Sequence, residues 1–152
     1  MLGKKFKVSI SEGNIKPEFV YTKNGIVTFE CRELISETTI GSKEIVVFRA
    51  IFGTREEHSK HLHMNCDEIV YCISGRGAEG IEENKGEEYK EYEYMPGVIM
   101  YIPKGVSHYT RNLDYFKNLE LIGIFLGVPN MDKDTTGYKS RGKILSHERI
   151  LK

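Results

Sequence analysis

Short β-rich runs, each cut off by Gly, Pro or Asn, constrain this chain more than any other feature. Residues 25–30 (GIVTFE), 44–52 (EIVVFRAIF), 68–74 (EIVYCIS, ended by Gly75), 98–102 (VIMYI, ended by Pro103) and 119–126 (LELIGIFL, ended by Gly127-Val128-Pro129) are rich in β-branched and aromatic residues. They are too short for packed helices. Several such strands in 152 residues predict an all-β sandwich or barrel, read as one domain over residues 1–152. A polar hairpin is also predicted, with 78–82 and 89–94 flanking Glu83-Asn84-Lys85-Gly86-Glu87. Asn and Gly supply its turn, and its charge, including the acidic stretch Glu82 to Glu93, reads as solvated. Residues 1–24 are mixed and 130–152 begin polar, so both ends read as extensions of the barrel.

Charge narrows the partners. Lys+Arg and Asp+Glu are 22 each, a net charge of zero, which gives no electrostatic footprint for nucleic acid or an anionic membrane. Neutrality also leaves self-association tolerated. Cys31, Cys66 and Cys72 are odd in number and form no C-x-x-C pair, which favours a reducing compartment. The basic N-terminus lacks a following apolar run, and the longest apolar run, 121–128, is too short to span a bilayer. A soluble cytoplasmic protein is expected.

Chemistry concentrates in two segments. His61 and His63 are separated by one residue, so on a strand both rings point to one side. Glu68 begins the next strand after a tight connection, with Val70 and Cys72 sharing its inward parity. His108 follows the Pro103-Lys104-Gly105 turn onto a further strand. Three imidazoles and one carboxylate are a complete donor set for a divalent transition metal, with positions left for water or substrate.

The chain resembles the cupin superfamily in two motifs: His61-x-His63-x4-Glu68-x6-Gly75, and Gly97-x5-Pro103-x-Gly105-x2-His108-x3-Asn112. The first departs at its start, because Gly53 lies further from His61 than the family's glycine, leaving Thr54 to Lys60 as extra residues. With flanking strands the resemblance runs from 53 to about 127. It implies a double-stranded β-helix, a jelly-roll-like barrel of two antiparallel sheets, and a homodimer. It also implies that His61, His63, Glu68 and His108 hold one divalent metal, that Gly75, Gly97 and Gly105 serve turns, and that Asn112 supports the fold.

The donor set places Mn or Fe ahead of Zn or Ni. Such a centre can polarise a carbonyl, stabilise an enediolate or serve oxygenation. The leading expectation is therefore an enzyme acting on a small organic molecule by oxygenase or decarboxylase chemistry. A cupin-type sugar or sugar-phosphate isomerase is an alternative, although Lys104, Arg111, Arg49 and Arg76 form no recognised phosphate motif. A non-catalytic small-molecule-binding barrel is another, as is a dimer whose metal only staples the fold.

Tyr109, Arg111 and Arg49 are candidates for contact with substrate or ligand histidines, with one of Tyr109 and Arg111 expected to face in. Tyr71 and Tyr101 have outward parity and read as packing for a dimer or outer face, whereas Met100, Ile102 and Phe125 or Ile124 read as barrel lining. His58 reads as an exposed loop histidine, Cys66 and Cys72 as structural, and His147 carries no signal.

Overall fold

The computed structural model describes residues 7–12, 14–15 and 29–131. The expected strand at 25–30 is described only in its last two residues, and most of both extensions, with His147, lie outside these ranges. The elements are β1 (Asn14–Ile15), β2 (Glu30–Ile35), α1 (Glu37–Ile40), β3 (Ile45–Phe52), β4 (Glu57–His61), β5 (Asp67–Ser74), β6 (Gly77–Ile81), β7 (Lys90–Tyr94), β8 (Ile99–Ile102), β9 (His108–Asn112) and β10 (Leu119–Leu126). They form two sheets in the orders β1-β2-β3-β10-β5-β8 and β4-β9-β6-β7. Every pairing is antiparallel. This is the expected all-β double-stranded β-helix.

Period-two alternation decides what each strand turns inward. β3 buries Val46, Phe48, Ala50 and Phe52 and leaves Val47, Arg49 and Ile51 half-buried on the other face. β5 buries Glu68, Val70 and Cys72, as its parity predicts, and β10 buries Leu119, Leu121 and Phe125. Ile102 and Tyr94 complete a continuous core with these residues. Phe29 stacks on Phe52 at 4.7 Å and Phe48 meets Phe125 at 4.8 Å between ring centroids. Full burial of such a side chain contributes about 1.5–3 kcal/mol, so this wall drives collapse of the barrel.

Two glycines show how tightly neighbouring segments approach. Gly123 pairs with Phe48 across β10 and β3, and a Cβ there would stand 2.0 Å from the Phe48 ring. Gly75 has φ +91°, and its Cβ would stand 2.3 Å from the Asn118 carbonyl oxygen. Only glycine meets both demands at that turn.

Two features were not foreseen. Ser36 caps the four-residue α1, accepting from the Thr39 backbone N–H while the Thr39 hydroxyl accepts from the Ser36 N–H. The run from Thr54 to Lys60, expected as extra loop, closes a turn at Glu56 and then enters β4.

The hairpin forms between β6 and β7, with Glu87 N–H bonding to the Asn84 carbonyl in its turn. Its solvation holds only for the tip and the outward side chains. Glu79 and Tyr94 are buried, because alternation turns their side of β6 and β7 into the barrel, and adjacent Ala78 is buried on the opposite face, paired with Arg111.

Candidate metal centre

β4 and β9 lie side by side with His61 opposite His108, which sets the two rings 4.3 Å apart at their centroids. His63 follows the end of β4, its ring 5.0 Å from His61 and 5.1 Å from His108. The donor nitrogens of the three buried histidines lie within 4.8 Å of one another, a set able to hold a metal ion. Glu68 enters from the opposite sheet, its Oε2 3.1 Å from Nε2 of both His63 and His108. The loops are stitched to each other. Gly105 N–H donates to the His63 carbonyl at 2.7 Å, and Lys104 N–H donates to Asp67 Oδ1 at 2.9 Å. The Pro103–Gly105 turn therefore fixes the segment carrying His63 as well as the one carrying His108.

Ring orientation tests whether this donor set suits a cation. His61 Nδ1 contacts the Ser59 carbonyl at 2.7 Å and His108 Nδ1 contacts the Val106 carbonyl at 2.9 Å. A carbonyl only accepts, so Nδ1 carries the proton and Nε2 of a neutral ring presents its lone pair. In His108 that lone pair lies against a buried carboxylate oxygen. Two electron-rich atoms so placed call for positive charge between them, which a proton or a metal ion supplies. Burial pushes the His61 pKa well below its usual value, and His58, His108 and His63 push it further. His61 is thus held as the neutral ligand form. Burial by itself would raise the Glu68 carboxyl, but His63 and His108 in their protonated forms outweigh it and hold Glu68 well below the usual carboxylate range, a positive charge that a bound cation would supply in place of the protons. Neutral imidazole and ionised carboxylate are the forms a divalent metal takes.

Beside these residues lies a cavity of about 40 Å³. Phe48, Phe52, Val70, Leu121 and Phe125 contribute an apolar wall, and His58, His63, Glu68 and Thr110 the polar groups. The centre therefore opens onto a small, largely apolar space.

The other sequence candidates lie elsewhere. In β9, alternation turns His108, Thr110 and Asn112 inward and leaves Tyr109 and Arg111 half-buried on the outer face. Tyr109 Oη donates to Glu91 at 2.6 Å, and Arg111 bonds Glu91 through Nε and Nη2 at 2.7 and 2.8 Å. Both line a separate open cleft of about 750 Å³ on the outside of the smaller sheet. The expectation that one of them faces in is corrected: the inward residue between them is Thr110. Arg49 also points away from the cavity, on the face of β3 opposite Phe48 and Ala50, and pairs with Glu120 at 2.7 Å. Tyr71 and Tyr101 are 41% and 57% exposed on the outer face, in keeping with their parity.

Two residues were missed. His58 is not an exposed loop residue but part of β4, half-buried, stacked on His61 at 3.9 Å and lining the cavity. Strict alternation would send His58 and His61 to opposite faces, but the β4–β9 register shifts between them and turns both inward. Glu79 is 1% exposed, and its Oε2 accepts from Tyr94 Oη and Thr110 Oγ1 at 2.9 Å each. Burial and then the charge of Glu68 raise its pKa well above the ordinary carboxyl value, and burial with Glu79 raises Tyr94 likewise. The signal available for Glu79 was its parity on β6, which the surrounding charge obscured.

Two facing antiparallel sheets with histidines gathered between them define a β-barrel of the double-stranded β-helix class. The chain belongs to the cupin family, whose model, described as Cupin, matches residues 42–149. A comparison with curated proteins gave no match. Among solved structures, a variant of oxalate decarboxylase from Bacillus subtilis has a TM-score of 0.69 at 18% identity, covering 88% of this chain and 32% of that one. Another structure of the Bacillus enzyme, described for its Mn(II) centres, has a TM-score of 0.69 at 16% identity, covering 100% of this chain and 38% of that one. A predicted oxalate decarboxylase from Thermotoga maritima has a TM-score of 0.64 at 20% identity, covering 81% of this chain and 100% of that one. This chain spans about a third of the Bacillus protein's length. At these identities the likeness is one of fold.

No helix among the described residues is long and apolar enough to cross a membrane. Cys31, Cys66 and Cys72 are buried and form no disulfide.

Proposed function

We propose that His61, His63, Glu68 and His108 hold one divalent transition metal, Mn or Fe in preference to Zn or Ni, in an enzyme acting on a small organic molecule. The observation that carries this reading is the buried Glu68 oxygen 3.1 Å from two imidazole nitrogens, in a cluster where His61 and His108 are aimed by backbone carbonyls. A bound metal would supply Lewis-acid or redox chemistry at the cavity. The chain's own residues would hold a small substrate against the apolar wall and limit water around it. Decarboxylase or oxygenase chemistry suits this space, and the likeness in fold to a decarboxylase with Mn(II) centres supports a metal of that class. A sugar-phosphate isomerase fits less well, because no Lys or Arg is among the described residues lining the cavity. Binding without turnover is a second reading, favoured by the scarcity of cavity polar groups beyond the histidines, Glu68 and Thr110.

The test is elemental analysis of protein purified without added metal or chelator, beside His61→Ala. About one Mn or Fe per chain, lost in the variant, is expected from a single centre. Equal metal in both samples removes His61 from the ligand set. Carbon dioxide release and oxygen uptake with short carboxylic acids then separate decarboxylation, oxygenation and binding alone.

We also propose a homodimer in a reducing cytoplasmic setting. The outer face at β5 and β8 exposes Tyr71, Ile99 and Tyr101, and Ile99 is 64% exposed. Sedimentation of the wild type and Tyr101→Lys is the check: a wild-type monomer, or a variant dimer as tight as the wild type, excludes that face.

A further inference from the structure

Thr110 is the one hydroxyl among the described residues lining the cavity, and it sits there with Glu68 and His63. A hydroxyl has one proton to donate and two lone pairs that accept. Thr110 directs its proton away from the cavity, to Glu79 Oε2 at 2.9 Å. Register enforces this, since Thr110 and Glu79 are cross-strand partners on β9 and β6. Tyr94 Oη donates to the same oxygen from β7, also at 2.9 Å, so Oε2 is the accepting oxygen for two hydroxyls. Glu79 Oε1 is buried and has no hydrogen-bond partner among the described residues. Burial keeps the Glu79 carboxyl protonated over an extended pH range. With the proton on Oε1, Oε2 is a carbonyl-type acceptor, consistent with its two donors.

We propose that Glu79 makes Thr110 a hydrogen-bond acceptor only, so that the cavity selects a small 2-hydroxy acid over its deoxy counterpart. This rests on the metal centre proposed above, which would take the ligand's carboxylate while Thr110 accepts from its hydroxyl. The rest of the wall favours such a ligand over a larger or more charged one, being mostly aromatic and aliphatic. Thr110 is then a specificity residue and Glu79 a positioning residue that acts through it. A hydroxyl free to rotate would serve donor and acceptor ligands alike; one pinned by Glu79 discriminates.

The experiment is calorimetric titration of Mn(II)-loaded protein with glycolate and with propionate, which differ by a hydroxyl in place of a methyl. Metal content is measured on every sample. The wild type is expected to favour glycolate by at least about tenfold, as sites built around a substrate hydroxyl do. Thr110→Val should abolish the preference with propionate binding unchanged, and Thr110→Ser should restore it. Glu79→Gln should keep it, because the amide carbonyl still accepts from Thr110, whereas Glu79→Met should relax it by freeing the proton. An unchanged ratio in Thr110→Val at full metal content overturns the inference and leaves the metal centre standing. A wild type that takes up none of Mn(II), Fe(II), Zn(II) and Ni(II) overturns the centre and this inference together.

Discussion

The two sheets present opposite inner faces. From the six-stranded sheet come Phe48, Ala50, Phe52, Val70, Cys72, Leu121 and Phe125, with Glu68 set among them. From the four-stranded sheet come His61, Glu79, His108, Thr110 and Asn112. Both faces obey the same alternation, yet buried polar groups gather mainly on the second, which must find partners for them. It does so in two ways. Asn112 is satisfied within the protein: its Nδ2 donates to the carbonyls of Phe52, Gly53 and Lys117, and its Oδ1 accepts from the Asp114 N–H. The histidines are aimed at a common point instead, where the added charge of a cation suits them. A polar wall facing an apolar one thus separates the residues that hold the barrel from those available for chemistry.

Substitutions sharpen that division. His108→Ala removes a donor at the meeting point of the walls, and Mn(II) affinity measured by calorimetry should fall by more than about 100-fold, beyond the loss typical for residues that only orient ligands. Melting curves of the metal-free forms should change far less. Asn112→Ala should show the reverse pattern. Several backbone groups lose their partner at once, and stability to urea should drop by about 3 kcal/mol, with one metal per chain retained in the folded fraction.

Glu79→Gln gives a smaller, pH-dependent effect. Burial and then the charge of Glu68 make the folded protein hold the Glu79 proton to a pH well above the ordinary value of 4.5, against the opposing influence of Tyr94, Thr110 and His63. The folded state therefore binds more protons than the unfolded one above that pH. Stability from this group is complete below the unfolded value and is lost as pH rises toward the folded one. Relative to the wild type, the variant should gain by up to about 1.4 kcal/mol per pH unit over that window. A difference independent of pH would show that Glu79 is ionised in the fold. Smallest is Arg111→Ala on the outer face, where an exposed pair with Glu91 should contribute under about 1 kcal/mol; a large loss of metal in this variant would bring the outer cleft back into the site.

The same contrast explains what could be read in advance. The apolar wall was legible because Val70, Cys72, Met100 and Ile102 keep strict alternation between Gly and Pro stops. The clustering of His61, His63, Glu68 and His108 was legible from spacing. His58 was not, because a shift in register between two strands distant in sequence turns it inward, and no local pattern encodes that shift. Glu79 was hidden for another reason: it is flanked by Gly80 and followed by an acidic hairpin, so composition pointed to solvent while pairing with β9 pointed to the core. Tyr109 and Arg111 failed as site residues by a single position of parity.

The pairing of His61 with His108 also bears on how the protein is made. A ribosome delivers the His61–Glu68 segment well before β9 emerges, and β4 cannot find its neighbour until it does. During that interval the chain offers only part of a donor set, on a loop not yet pinned by Gly105. Metal capture at full strength is thereby deferred to a closed barrel, whose geometry, rather than the order in which ions are encountered, can then govern which one is kept.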